Sequence, residues 1–286
     1  MQLKYSFKKE WSHFMRTFRF WGVIIAIFSF ALSNPLMFSF TGQVLNQMGG
    51  GAAAFSQTPE TGDLFGDIDF SEVAGMYSDA GMMFSSTLVS FATNALLITM
   101  LILMSAAGGE QKKRAMIVPM CSGLEYKNYL LPKFIIYPTV VFVTSLLAGM
   151  TAGGLCNALF DENRVSAGMV VLMALLMAVY MAFATTVYLS LGLCTSRPGI
   201  MVVAVFVGQM VLESLLGGFG LSDYHPFALL NYAGGSLLDT EPGEKTAAVA
   251  VSVGLSVVIA VMMYFLALGV LGAKKINNRE EKAPEF

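Results

Sequence analysis

The sequence predicts an all-α integral membrane protein with six transmembrane helices, and three observations carry that prediction. The first is composition. Of 286 residues, 56% are hydrophobic and 13% charged, with mean hydropathy +0.66, far from the roughly 45–50% apolar and 25% charged balance of soluble domains. The second is a set of six apolar runs, near 21–40, 84–107, 132–155, 168–194, 199–216 and 246–272. Each approaches or exceeds the ~20 helical residues that cross a hydrocarbon core of about 30 Å. The third is charge placement: every one of the 17 basic residues except Arg164 and Lys245 falls on the side of the membrane that holds the N-terminus. The positive-inside rule makes that side cytoplasmic and puts the C-terminus there too. A net charge of −2 carries no basic excess of the kind that binds nucleic acid.

The chain reads as a single membrane domain, 1–286. Within residues 1–19, Leu3, Phe7, Trp11, Phe14 and Phe18 fall within about 80° of one another at 100° per residue, while Lys8, Arg16 and Arg19 lie away from that face. This predicts an amphipathic helix lying in the plane of the inner leaflet, aromatic side in lipid and basic side toward anionic head groups. Ala31-Leu32-Ser33 gives a small-x-small pattern after an apolar run, but the basic stretch before it is too long for a secretory signal. Residues 41–83 form an outer loop with a Gly-rich start (Gly49–Gly51, then Ala52–Ala54) that reads largely as linker. Its acidic remainder carries Phe65, Ile68 and Phe70, enough for a short surface helix. Spans four and five are separated by a tight turn, Thr195 to Pro198. Residues 217–245 interrupt glycines and Pro226 with Tyr224, Phe227, Leu229, Leu230, Tyr232, Leu237 and Leu238. That composition predicts a re-entrant outer helical hairpin, which needs protein packing around its irregular backbone.

The longest polar insertion between two spans is the inner loop 108–133. Glu110 to Val118 extends span two as a basic helix with Lys112, Lys113 and Arg114, Pro119 stops it, and Ser122-Gly123-Leu124-Glu125 is a capping-box pattern for a second helix running into span three. Its charge suits an acidic groove on a soluble partner.

Catalytic chemistry is not legible. His13 and His225, the only histidines, lie on opposite sides of the membrane, which excludes a histidine zinc site or triad within one chain. Cys121, Cys156 and Cys194 are too dispersed for a disulfide framework or metal-ligand spacing. No phosphate-binding loop is present, since the Gly runs lack the required Lys. Inside the spans Glu213 is the one formal charge, with Gln209 a turn before it on the same face. Two readings stand open for Glu213: a contact to cargo, or a carboxylate reaching outer water. In span two Ser86, Ser90, Thr93, Asn94, Thr99 and Ser105 make a polar stripe suited to interhelical hydrogen bonds or to a substrate path.

Taken in order, the amphipathic N-terminal helix, six spans, Glu-led basic inner loop with Pro119, Ser122 and Lys133, and Pro-containing hairpin before span six resemble an ABC type-2 permease, the membrane subunit of an ABC exporter. Arg114 and Ala115 stand where that family usually has Gly-Thr, and Pro132 replaces a Gly. The resemblance implies a coupling helix within 110–121 seated in a separate cytoplasmic ATPase, with Glu110, Lys112, Lys113, Arg114, Pro119, Ser122 and Glu125 as coupling residues. It implies two permease copies, homodimeric or heterodimeric, and two ATPase copies, with ATP and Mg bound by the ATPase and no cofactor in this chain. Spans one and five would form the dimer interface, and spans two and five the route, placing Asn94, Gln209 and Glu213 beside it. The expected setting is a bacterial cytoplasmic membrane. A Met- and Phe-rich interior favours hydrophobic or amphipathic cargo, peptides such as toxins or bacteriocins ahead of drugs or lipids. The competing readings are an ion-coupled secondary transporter and a non-transporting immunity or scaffold protein.

Overall fold

A computed structural model of the chain describes residues 2–55, 78–104, 106, 125–195, 198–238 and 243–280. The described residues are helical, joined by turns and one isolated parallel bridge between Asp79 and Glu162. Helix α1 is Gln2–Arg16 and α2 Phe18–Phe55. Span two is α3 (Ala80–Ser90), a π-helical turn (Phe91–Ala95) and α4 (Leu96–Met104). Next come α5 (Tyr126–Leu159), α6 (Ala167–Cys194), α7 (Pro198–Gly218), the short α8 (Ala228–Asn231) with a second π-helical turn (Tyr232–Ser236), and α9 (Thr246–Glu280). Six of these stretches are long and apolar enough to cross a membrane. The protein is therefore a multi-pass helical membrane protein. The end of the bundle that holds α1 is called here the basic end.

Helix α6 is the centre. More than half of its most apolar window is buried (56%), against 17% for α7 and 11% for α9, and it packs on α5, α7, α8 and α9. Small residues set the closest approach: a Cβ on Gly153 of α5 would sit 2.4 Å from Val170 Cγ1, and one on Gly149 would sit 2.9 Å from Ala174 Cβ. Glycine is required there by contact, as in membrane helix pairs generally. Against this pair lie Phe84, Leu88, Phe91 and Met100 of span two and Val23, Ile27 and Ala31 of α2.

Several expectations shift. The Gly-rich start of 41–83 is not a linker up to Phe55, because α2 runs on through it for 38 residues, about 57 Å at 1.5 Å per residue. After Pro35 no proline or cap stops the helix, and the Ala run favours it. The inner loop is shorter than 108–133, since α5 begins at Tyr126 and carries Pro132 and Lys133 inside it. Glu125 is the N-cap residue, with extended backbone and no side-chain cap bond, not the third helical residue that a capping box at Ser122 requires. The turn expected over Thr195 to Pro198 ends one residue sooner, because Pro198 opens α7, in the first position, where a missing N–H costs nothing. The surface helix expected near 65–77 lies outside the described residues.

Candidate functional site

Polar side chains interrupt the apolar bundle at three levels. Midway along the helices, span four meets span five through Tyr180, whose hydroxyl donates to Gln209 Oε1 at 2.5 Å. Gln209 is buried and precedes Glu213 by one turn of α7. Glu213 Oε1 is enclosed with no hydrogen-bond partner, so the carboxylate is only partly satisfied. Two of the predicted path residues are thus brought together, and Tyr180 joins them unannounced by the sequence.

The third, Asn94, lies apart from that cluster. It sits in the π-helical turn of span two, exposed, with no side-chain hydrogen bond among the described residues. π-Turns inside α-helices widen the backbone and turn side chains outward, frequently at functional sites. One turn toward the basic end, Ile98 enters a groove of about 490 Å³ bounded by Thr17, Phe18, Arg19, Leu101 and Ile102. Spans two and five close together at that end, where a Cβ on Gly199 would lie 3.4 Å from Met104 Sδ. Of the described hydroxyls in the predicted stripe, Thr93 bonds the Val89 and Ser90 carbonyls within its own helix, and the buried Thr99 hydroxyl has no partner. Ser105 lies outside the described residues.

At the end opposite α1, the start of span two is pinned to the turn after α5. Asp79 caps α3 through Met82 N (2.9 Å) while accepting from Asn163 Nδ2 (2.8 Å). Ala80 N donates to the Glu162 carbonyl and Ser78 Oγ to the Glu162 carboxylate. The connection after α7 folds back on this edge. A Cβ on Gly235, at φ 112°, would lie 3.1 Å from Ser85 Cβ, and one on Gly234 3.0 Å from Val89 Cγ2. Only glycine meets both demands at 235, a left-handed backbone and a neighbour at that distance. His225 Nδ1 accepts from Ala228 N at 3.1 Å, and the Tyr232 hydroxyl bonds the Asp223 carbonyl. Burial lowers the His225 imidazole below its usual 6.5, with the Asp223 carboxylate pulling the other way.

At the basic end, Lys133 is fully buried and pairs with Glu10 at 2.9 Å. Tyr137 donates to the same Glu10 oxygen at 2.7 Å, and Arg19 donates to the Tyr137 oxygen at 3.3 Å. Lys133, expected in the loop, is therefore a second charge embedded among the helices. The face of α1 differs from the aromatic one expected. Ser6, Phe7, Glu10 and Phe14 turn toward the protein, while Leu3, Trp11 and Phe18 stay exposed.

Of the predicted coupling residues only Glu125 is described, exposed and paired with Lys127 at 2.8 Å. Glu110, Lys112, Lys113, Arg114, Pro119 and Ser122 lie outside the described residues. Cys156 is buried and Cys194 half-buried, both unbridged. Glu10 had a sequence signal that the helical-wheel reading passed over: it is the sole acidic residue before Glu60, set among Lys4, Lys8, Lys9, Arg16 and Arg19. Tyr180 had none, being one apolar-run tyrosine among several.

Comparison of the chain with protein-family profiles, curated proteins and solved structures finds no match. The class that the fold defines is a six-span helical membrane protein, and its function rests on the arrangement of its own residues.

Proposed function

We propose that the chain is the membrane-spanning subunit of an ATP-driven exporter of the ABC type-2 permease kind, with both termini in the cytoplasm. The observation that carries the reading is the order of parts: a basic amphipathic helix, six apolar helices, a basic insertion after the second, and a folded-back pair of short turns before the sixth. The skew of Lys and Arg toward the α1 side supports the orientation. Packing of 232–238 along Ser85 and Val89 supports re-entry into the outer leaflet, since irregular backbone survives at that depth only against protein.

In this reading the ATPase binds ATP and Mg and closes, the inner loop moves as a rigid handle, and the helices exchange between two arrangements. Cargo reaches span two from the side. The groove floored by Ile98, Leu101 and Ile102, with polar Asn94 a turn above it, suits an amphipathic molecule, and we favour hydrophobic peptides. Gln209, Glu213 and Tyr180 would line the opposite wall of the route.

Co-purification tests the partner. The full chain, expressed with candidate ATPase subunits, should retain one of them, and reversing Lys112, Lys113 and Arg114 to Glu should release it and stop export. Retention and export unchanged by the triple reversal would sink the handle. An ion-coupled transporter would instead move cargo without any ATPase and lose that activity in Glu213→Gln.

A further inference from the structure

Glu213 is the single formal charge of the apolar run 199–216, and the helix turns it inward. Val202, Val205 and Gln209, which precede it on the same face, are buried, whereas Met210, Val211, Leu212 and Leu215 are exposed. The carboxylate is half-buried, and its Oε1 is enclosed with no hydrogen-bond donor. Among the described residues it has no cationic partner. One turn earlier the Gln209 oxygen accepts from the Tyr180 hydroxyl, which holds that side chain against α6. A carboxylate in apolar surroundings is costly until donors or a positive group meet it, and at Oε1 that place is open. The surroundings favour a cation there. Glu213 lies five residues before the end of α7 at Gly218, about 7–8 Å along the axis, toward the end of the bundle opposite α1. At that end Asp161, Glu162, Asp223 and Glu244 are exposed, Arg164 is paired with Asp161, and Lys245 is the one other described basic residue. A surface dominated by one sign of charge gathers the other.

We propose that Glu213 is a cation subsite: its carboxylate receives an ammonium or guanidinium group carried by an otherwise apolar molecule, whose apolar part lies on Met210 and Leu216. These two residues stand three positions either side of Glu213, so a helical repeat sets them next to it. A charge-assisted hydrogen bond formed there satisfies the enclosed oxygen and neutralises the site together. The proposed cargo thereby narrows from amphipathic molecules to cationic ones. The role of the subsite in export rests on the proposed function; recognition of the cation needs only this chain.

The test uses the full chain in nanodiscs of phosphatidylcholine, whose head groups carry no net charge. The probes are two fluorescent hydrophobic peptides of one sequence, blocked at both ends and containing a single Lys, its amine free in one and acetylated in the other. Binding is read by anisotropy with empty nanodiscs subtracted. The parent should bind the free-amine peptide on the order of tenfold more tightly than the acetylated one, and Glu213→Gln should bring the two affinities within about twofold. A parent that binds both alike, or neither, overturns the subsite, and so does a preference retained in Glu213→Gln. Exchanging choline chloride for NaCl at equal ionic strength should leave the preference in place; its collapse assigns the carboxylate to sodium and overturns the organic cation. If Glu213→Gln does not accumulate, modification of Glu213 in the parent by a hydrophobic carbodiimide, followed by mass spectrometry, decides. The free-amine peptide should slow it more than the acetylated one, and equal protection overturns the subsite. ATPase-driven export of hydrophobic peptides with no preference for the free amine removes the subsite and keeps the proposed function. A preference in binding with no ATPase found removes the proposed function and keeps the subsite.

Discussion

Single side chains decide where this membrane protein tolerates polarity. Tyr180 and Gln209 satisfy each other between spans four and five, so Tyr180→Phe should leave the Gln209 oxygen buried without its donor and cost about 1–2 kcal/mol. Thermal unfolding of the purified chain measures this, and a midpoint unchanged from the parent would contradict the pairing. His225 gives a pH signature. Burial lowers its pKa from 6.5, so the unfolded chain binds the proton more readily than the folded one. The neutral imidazole then contributes fully above pH 6.5, and the contribution is lost as pH falls through the lowered folded value, where protonation removes the acceptor for Ala228 N. Stability of the parent should fall between pH 7 and 5 more steeply than that of His225→Asn. Parallel curves for the two would remove His225 from the account.

At the scale of elements, close helix contact and end capping carry the fold. Gly153→Ala puts a methyl 2.4 Å from Val170 Cγ1, and a β-branched side chain in a packed helix face has one preferred rotamer to yield from. The substitution should cost about 1–3 kcal/mol by overpacking, while Gly154→Ala on the open side of the same helix, where nothing lies within 4 Å, should be neutral or slightly stabilising. Equal midpoints for the two variants would show that the α5–α6 contact is looser than described. Asp79→Ala removes the cap of α3 together with the Asn163 tie. It should lower stability by about 1 kcal/mol and speed proteolysis of the segment preceding α3, both readable in one limited-digestion series. The π-turn around Asn94 has no such local cause. It lies between Ala-containing helical segments with no proline, and the wheel of a regular helix would place Thr93 and Asn94 differently.

For the whole molecule, two helices stand at the margin. Helices α7 and α9 bury little of themselves inside one chain, and Ile200, Val203, Val207 and Val211 leave a β-branched ridge open along α7. Under the proposed function this ridge meets a second copy. Val207→Cys in a cysteine-free background should then give an oxidant-dependent dimer in native membranes, while Val141→Cys, buried in the bundle core, should not. Monomer throughout the oxidant series at Val203, Val207 and Val211 would remove span five from any interface between copies.

Much of this architecture was legible in the order of residues. Six spans follow from length and hydropathy, because hydrocarbon offers backbone groups no partner and forces each crossing into a helix. The punctuation at Ser166, which caps α6 through Met169 N, acts within one turn and can be read locally. Gln209 and Glu213 share a face because a helical repeat alone puts them there. What the tertiary structure decided is which polar groups meet across the fold: Glu10 with Lys133, Tyr180 with Gln209, Asp79 with Asn163. A one-dimensional pattern records the spacing of residues along a helix but not the rotation of that helix about its axis, and the turn of α1 toward α5 moved Glu10 from a solvated edge into the protein. Sequence by itself fixed the spans and the asymmetry of charge between their ends. The packing of α5 on α6 and of α1 on α5 chose the contacts, since the rotation of each helix about its axis decides which distant residue a buried polar group meets, and burial makes an unpaired one costly.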